Sequence, residues 1–82
     1  MGNGNRRDSL SVLADLLDDM EEPRRITHLL YASNLNYGRL TKYLKMLTMM
    51  GLANEQMKPH LFKITSEGKF FMNIINRRIK IK

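Results

Sequence analysis

Cysteine and tryptophan are absent from this 82-residue chain, proline occurs twice, and no apolar run approaches the roughly 18 residues of a membrane span. Without cysteine there are no disulfides and no thiolate metal sites, which fits a protein of the cell interior, and a cytoplasmic location is expected. The start, MGNGNRRDS, lacks the apolar core of a signal peptide. Met1 and Gly2 match the opening of a myristoylation signal, but Arg6 stands where Ser or Thr is required. His28 and His60 are isolated histidines without ligand spacing, so no metal is expected. No nucleophile, base and orienting group converge, and no glycine loop suits a phosphate-bearing substrate. The expectation is a non-enzyme with no cofactor, no small-molecule substrate and no membrane partner.

Acidic residues are scarce after position 22, and this asymmetry says more than the net charge of +6. Residues 1–22 carry two basic and six acidic side chains, a net of −4, whereas residues 23–82 carry twelve basic and two acidic, a net of +10. A basic body with an acidic first segment has a polarised field that turns a polyanion toward one side. The acids Asp15, Asp18, Asp19, Glu21 and Glu22 lack the glycine-punctuated loop of a calcium site and read as a solvated face.

Eighty-two residues make one small domain. Residues 1–7, rich in Gly and Asn and then basic, are expected to form a disordered N-terminal arm, and residues 8–82 the folded domain. Asp8 or Ser9 caps a helix running to about Met20, with Leu10, Leu13, Leu17 and Met20 at core spacing and Val12 and Leu16 widening the stripe. Pro23 suits the first turn of a second helix, Arg24 to Ala32, that carries Ile26, Leu29 and Leu30 inward, with His28 partly buried. Ser33, Asn34, Leu35 and Asn36 form a tight connection in which Leu35 plugs the core.

The stretch NYGRLTKYLKMLTMMG, Asn36 to Gly51, reads as a helix with both ends marked: Asn36 as N-cap and Gly51 in the left-handed position past its end. At about 100° per residue, Leu40, Tyr43, Leu44 and Leu47 share one inward arc, while Gly38, Arg39, Lys42, Lys45, Met46 and Met49 take the opposite side. The outer side holds three cations and no acid. Lysines on such a face are commonly plain solvated surface. Their context argues otherwise, because a short helix, a tight turn and a capped helix with a basic outer face are the pattern of a DNA-reading helix-turn-helix.

Past Gly51 the period shortens. Leu52 to Gln56 and His60 to Thr65 read as strands around Met57, Lys58 and Pro59, with Phe62 and Ile64 inward and Lys63 outward. Such a hairpin is a wing whose tip offers Lys58 and His60 to a phosphate backbone, although His60 also fits ordinary surface. Thr65 or Ser66 caps a terminal helix, 66–82. Its apolar residues fill two arcs: Phe70, Ile74 and Ile81 in one, and Phe71, Met72, Ile75 and Ile79 in the other. One arc can cover the domain's own core, and the other needs a partner or packs on the first two helices. The expected dimerisation residues are Phe71, Met72, Ile75 and Ile79, and Lys69, Asn73, Asn76, Arg77 and Lys80 stay wet.

The runs RRITHLLYASNLNYGRLTKYLKMLTMMGLA and FKITSEGKFF resemble a family of small archaeal winged-helix proteins of about ten kilodaltons that includes dimeric chromatin proteins and is grouped with repressor-like winged helices. The resemblance covers roughly residues 8 to 80. It implies a mostly α fold with a small β-hairpin (α+β), DNA binding through the helix beginning at Tyr37, and a homodimer formed by the C-terminal helix. That helix is short for the long coiled-coil arm of the chromatin members, and Met46 and Met49 are apolar residues on the DNA face. The expected DNA contacts are Tyr37, Gly38, Arg39, Thr41, Lys42 and Lys45 in the major groove, Lys58 and His60 on the wing, and Arg24 or Arg25 on phosphate. The expected function is a small transcription regulator or nucleoid-associated protein. A winged-helix module that docks a protein through Met46, Met49 and the terminal helix is the alternative.

Overall fold

Helical spacing of apolar residues builds α1 (Ser9–Asp19), α2 (Ile26–Ser33), α3 (Tyr37–Met49) and α4 (Ser66–Ile79), and the change of period after Gly51 builds β1 (Ala53–Gln56) and β2 (Leu61–Ile64). This computed structural model describes residues 9–79, without the side chains of Asn76, Arg78 and Ile79. The expected disordered arm at 1–7 and the end of the expected helix 66–82 lie outside those residues. No described helix is long and apolar enough to cross a membrane. The strands pair antiparallel with Ala53 opposite Ile64 and Gln56 opposite Leu61, and Phe62 and Ile64 face the core as the alternation requires. Leu16, Leu17, Met20, Leu29, Leu40 and Leu47 are the largest fully buried side chains, so α1, α2 and α3 meet in one core that the wing and α4 close.

The connection from α1 to α2 departs from the expected helix at Arg24. Its amide donates to the carbonyl of Phe62 at 2.9 Å and its carbonyl accepts from the amide of Phe62 at 2.8 Å, so β2 is flanked by β1 on one side and by Arg24 on the other. A residue whose backbone groups are both spent on a strand cannot begin a helix. Pro23 therefore lies in an extended link rather than in a first turn, and α2 starts at Ile26. The Nε of Arg24 donates to the carbonyl of Asp19 at 3.1 Å, a cation satisfying a helix C-terminus. His28 is exposed rather than partly buried, because Leu29 and Ser33 form the buried edge of this short helix and His28 lies about 100° from Leu29. Leu10 shares the apolar stripe of α1 but is 47% exposed.

Both ends of α3 are built as its sequence suggests. The side chain of Asn36 accepts from the amide of Arg39 at 2.8 Å. At the other end Gly51 has φ of 77°, the amide of Leu52 donates to Leu47 O at 2.9 Å, and that of Gly51 donates to Thr48 O at 3.1 Å. This pairing is a Schellman motif, and burial of Leu47 and Leu52 supplies its usual apolar contact. Upstream, Asn34 takes the left-handed conformation that ends α2, with φ of 62°.

α4 starts where the α3 turn and the wing meet. The amide of Thr65 donates to Leu52 O at 3.0 Å, its hydroxyl donates to Gly51 O at 2.7 Å, and the same oxygen accepts from the amide of Gly68 at 2.9 Å. Gly68 lies so close to Leu52 that a Cβ there would fall 2.1 Å from the Leu52 carbonyl oxygen and 2.7 Å from Ile64 Cγ1. Gly68 thereby sets the rotation of α4. Residues three, four and seven positions on share its side, so Phe71 packs on the core while Met72 and Ile75 are buried at 7% and 4%. This corrects the dimerisation set Phe71, Met72, Ile75 and Ile79: Met72 and Ile75 belong to the chain's own core, and Ile79's side chain is outside the described residues. The arc left open is that of Phe70 and Ile74, 68% and 43% exposed.

Gly38 differs from Gly68, since a Cβ on it would meet nothing nearer than Asn36 Oδ1 at 3.6 Å. In urea unfolding, Gly68→Ala is expected to lower stability by about 2–3 kcal/mol through overpacking against backbone. Gly38→Ala should leave stability unchanged or raise it by up to about 1 kcal/mol through helix propensity.

Candidate nucleic-acid interface

The outer face of α3 is where the expected contacts gather. Tyr37, Gly38, Arg39, Lys42 and Lys45 are exposed on it, and no residue of α3 is acidic. The capped N-terminus fixes the direction in which Arg39 leaves the helix. Thr41 is half-buried and its hydroxyl donates to Gly38 O at 3.0 Å, so toward an outside group it can act only as an acceptor. Met46 and Met49 lie further along, 40% and 78% exposed.

Between α3 and the wing runs a groove of about 340 Å³, floored by Ile26, Leu44 and Phe62 and rimmed by Lys45, Glu55 and His60. His60 is exposed but paired: its Nε2 lies 2.6 Å from Glu55 Oε2, and its ring lies 5.1 Å from that of Phe62. Lys58 stands exposed at the wing tip, with φ of 59°. Arg25 is exposed at the start of α2, whereas Arg24 is half-buried with its Nε committed to Asp19, which leaves Arg25 as the more available of the two for phosphate.

On the other flank of α3 a cleft of about 310 Å³ is lined by Ser9, Arg39, Lys42, Tyr43 and Met46. Sequence reasoning placed Tyr43 in the core stripe and Ser9 at a helix cap, and missed that the two share a site with Arg39. The available signal was the phenol itself, because a tyrosine on a half-buried stripe needs a polar partner for its hydroxyl. The Tyr43 phenol interacts with the side chains of Ser9 and Arg39, and these bonds, aided by the Arg39 charge, hold its pKa below the ordinary tyrosine value against the opposing effect of burial. The acids of α1, Asp15, Asp18 and Asp19, lie six to ten residues from Ser9, about 9 to 15 Å along the axis.

A lowered folded-state pKa means that the folded chain favours the phenolate. The stability this contributes is fully present above the unfolded value of about 10 and is lost as pH falls through the folded pKa. Ultraviolet phenolate titration should therefore show one tyrosine ionising below the ordinary value. Ser9→Ala and Arg39→Ala should each move that transition upward, and Tyr43→Phe should remove it.

Residues 6–82 match the family described as winged helix-turn-helix. The crystal structure of Sso10a-2, described as a DNA-binding protein from Sulfolobus solfataricus, is similar with a TM-score of 0.85 and 29% identity, over 90% of this chain and 80% of that one. Comparison with curated proteins gave no match. The fold expected from the resemblance is the fold observed: four helices and an antiparallel hairpin, with the wing directly after the second helix of a helix-turn-helix. The chain belongs to the winged helix-turn-helix family.

Proposed function

We propose that the chain is a homodimeric protein that binds double-stranded DNA, with α3 in the major groove and the wing beside the backbone, and that it acts as a small transcription regulator or nucleoid-associated protein in the cytoplasm. The observation that carries this reading is the outer face of α3, where Arg39, Lys42 and Lys45 are exposed on a helix without a carboxylate. A helix fits the major groove, and unneutralised cations on its outer face release counterions from the duplex. The likeness to Sso10a-2 supports the same reading. Lys45, Lys58 and Arg25 position the protein on phosphate, and Tyr37, Gly38 and Thr41 line the approach. A second copy fits the open arc of α4, because Phe70 and Ile74 are large apolar residues one turn apart that stand 68% and 43% exposed.

The exposed methionines favour a second reading, a module that docks a protein partner. Met46, Met49, Met50 and Met57 are 40%, 78%, 52% and 67% exposed, and methionine-rich surfaces adapt to partners.

Binding to a random-sequence duplex across a salt series separates the two. With about six phosphates neutralised, log affinity should fall against log salt with a slope near −5, and salt-insensitive binding would sink the DNA reading. The pair Lys42→Glu and Lys45→Glu should abolish duplex binding, whereas Met46→Glu with Met49→Glu should do the greater damage if protein docking is the function. The mass in solution should be that of two chains, falling to one in Phe70→Glu with Ile74→Glu. A wild-type monomer would remove the dimer from the proposal.

A further inference from the structure

We infer that the cleft between the start of α1 and the outer face of α3 seats a phosphate group of the DNA backbone, held by Arg39, Lys42 and the hydroxyls of Ser9 and Tyr43. The inference rests on the DNA reading above and adds residues outside the helix-turn-helix motif to that interface.

The cleft has the contents an oxyanion needs. Arg39 and Lys42 converge on it from successive turns of α3, and its volume of about 310 Å³ exceeds a phosphate's need for space. Neither cation is seen paired with a carboxylate of a described residue. A planar guanidinium and an ammonium beside one another are the donors best matched to phosphate oxygens.

Ser9 and Tyr43 each bring a hydroxyl to the cleft lining, and a hydroxyl can donate to a phosphate oxygen. The influence of Ser9 and Arg39 that lowers the Tyr43 pKa fits the same close grouping.

The seat also divides labour along α3. Arg39 and Lys42 are thereby directed to the backbone, which leaves Tyr37 and Thr41, lining the groove on the other flank, to meet base edges. Arg39 then contributes affinity for every sequence alike.

The test compares full-length wild type with Ser9→Ala, Tyr43→Phe, Arg39→Ala and Lys45→Ala on a random-sequence duplex over a salt series, with folding checked by thermal unfolding. Tyr43→Phe keeps the half-buried ring and removes only the hydroxyl. It should weaken binding about ten- to a hundredfold, as expected for one hydrogen bond to a charged group, and leave the salt slope unchanged. Ser9→Ala should act in the same direction. Arg39→Ala should weaken all sequences equally and reduce the slope by about 0.9. If Ser9→Ala and Tyr43→Phe bind like wild type while Lys45→Ala binds more weakly, the phosphate seat is refuted and the DNA reading stands. If folded wild type binds no duplex at low salt, the reading and the seat fall together.

Discussion

The carbonyl of Leu52 is the point on which the rest of this structure depends. It accepts from the amide of Thr65, and the Cα of Gly68 lies against it too closely for any side chain. The turn that ends α3, the strand that ends the wing and the first turn of α4 are thus held within a few bonds of one another. Thr65 completes the junction by donating to Gly51 and accepting from Gly68 with one oxygen. A domain of this size has little core to spare, so its elements are aligned by hydrogen bonds and close backbone contact as well as by apolar burial.

That junction explains the pattern of what was legible in the sequence. The caps of α3 could be read because local chemistry decides them: Asn36 and Gly51 act on groups a few residues away. The core stripe of α3 was equally plain, since a single period dictates it. The start of α2 was not, because the backbone of Arg24 is claimed by Phe62, nearly forty residues later, and no local preference announces such a bridge. The buried face of α4 was misjudged for a related reason. Two apolar arcs compete there, and hydrophobicity alone does not choose between them. Gly68 chooses, because only the side that carries it can approach Leu52. A glycine inside an amphipathic helix, in register with one of two possible faces, was the signal to weigh.

The candidate interface was legible in its cations and less so in its hydroxyls. Arg39, Lys42 and Lys45 stand on the outer face as the helical period places them. The threonine and tyrosine hydroxyls depend on rotamer and tertiary neighbours, so Thr41 turns back on Gly38 and Tyr43 reaches toward Ser9. His60 shows the same limit, because its pairing with Glu55 arises from hairpin geometry that a linear sequence conceals. α1 brings Ser9 of its first turn to the α3 cleft and carries Asp15, Asp18 and Asp19 further along.

The close contact at Gly68 has a mechanical consequence. Phe70 follows only two residues later and points to the opposite side of α4, so the open apolar arc starts within one helical turn of the clamp that fixes α3. No hinge separates the two. The outward arc of Phe70 and Ile74 and the end of α3 thus share one close backbone contact, and a rotation of α4 about Gly68 would be felt first at Leu52 and the turn that closes α3.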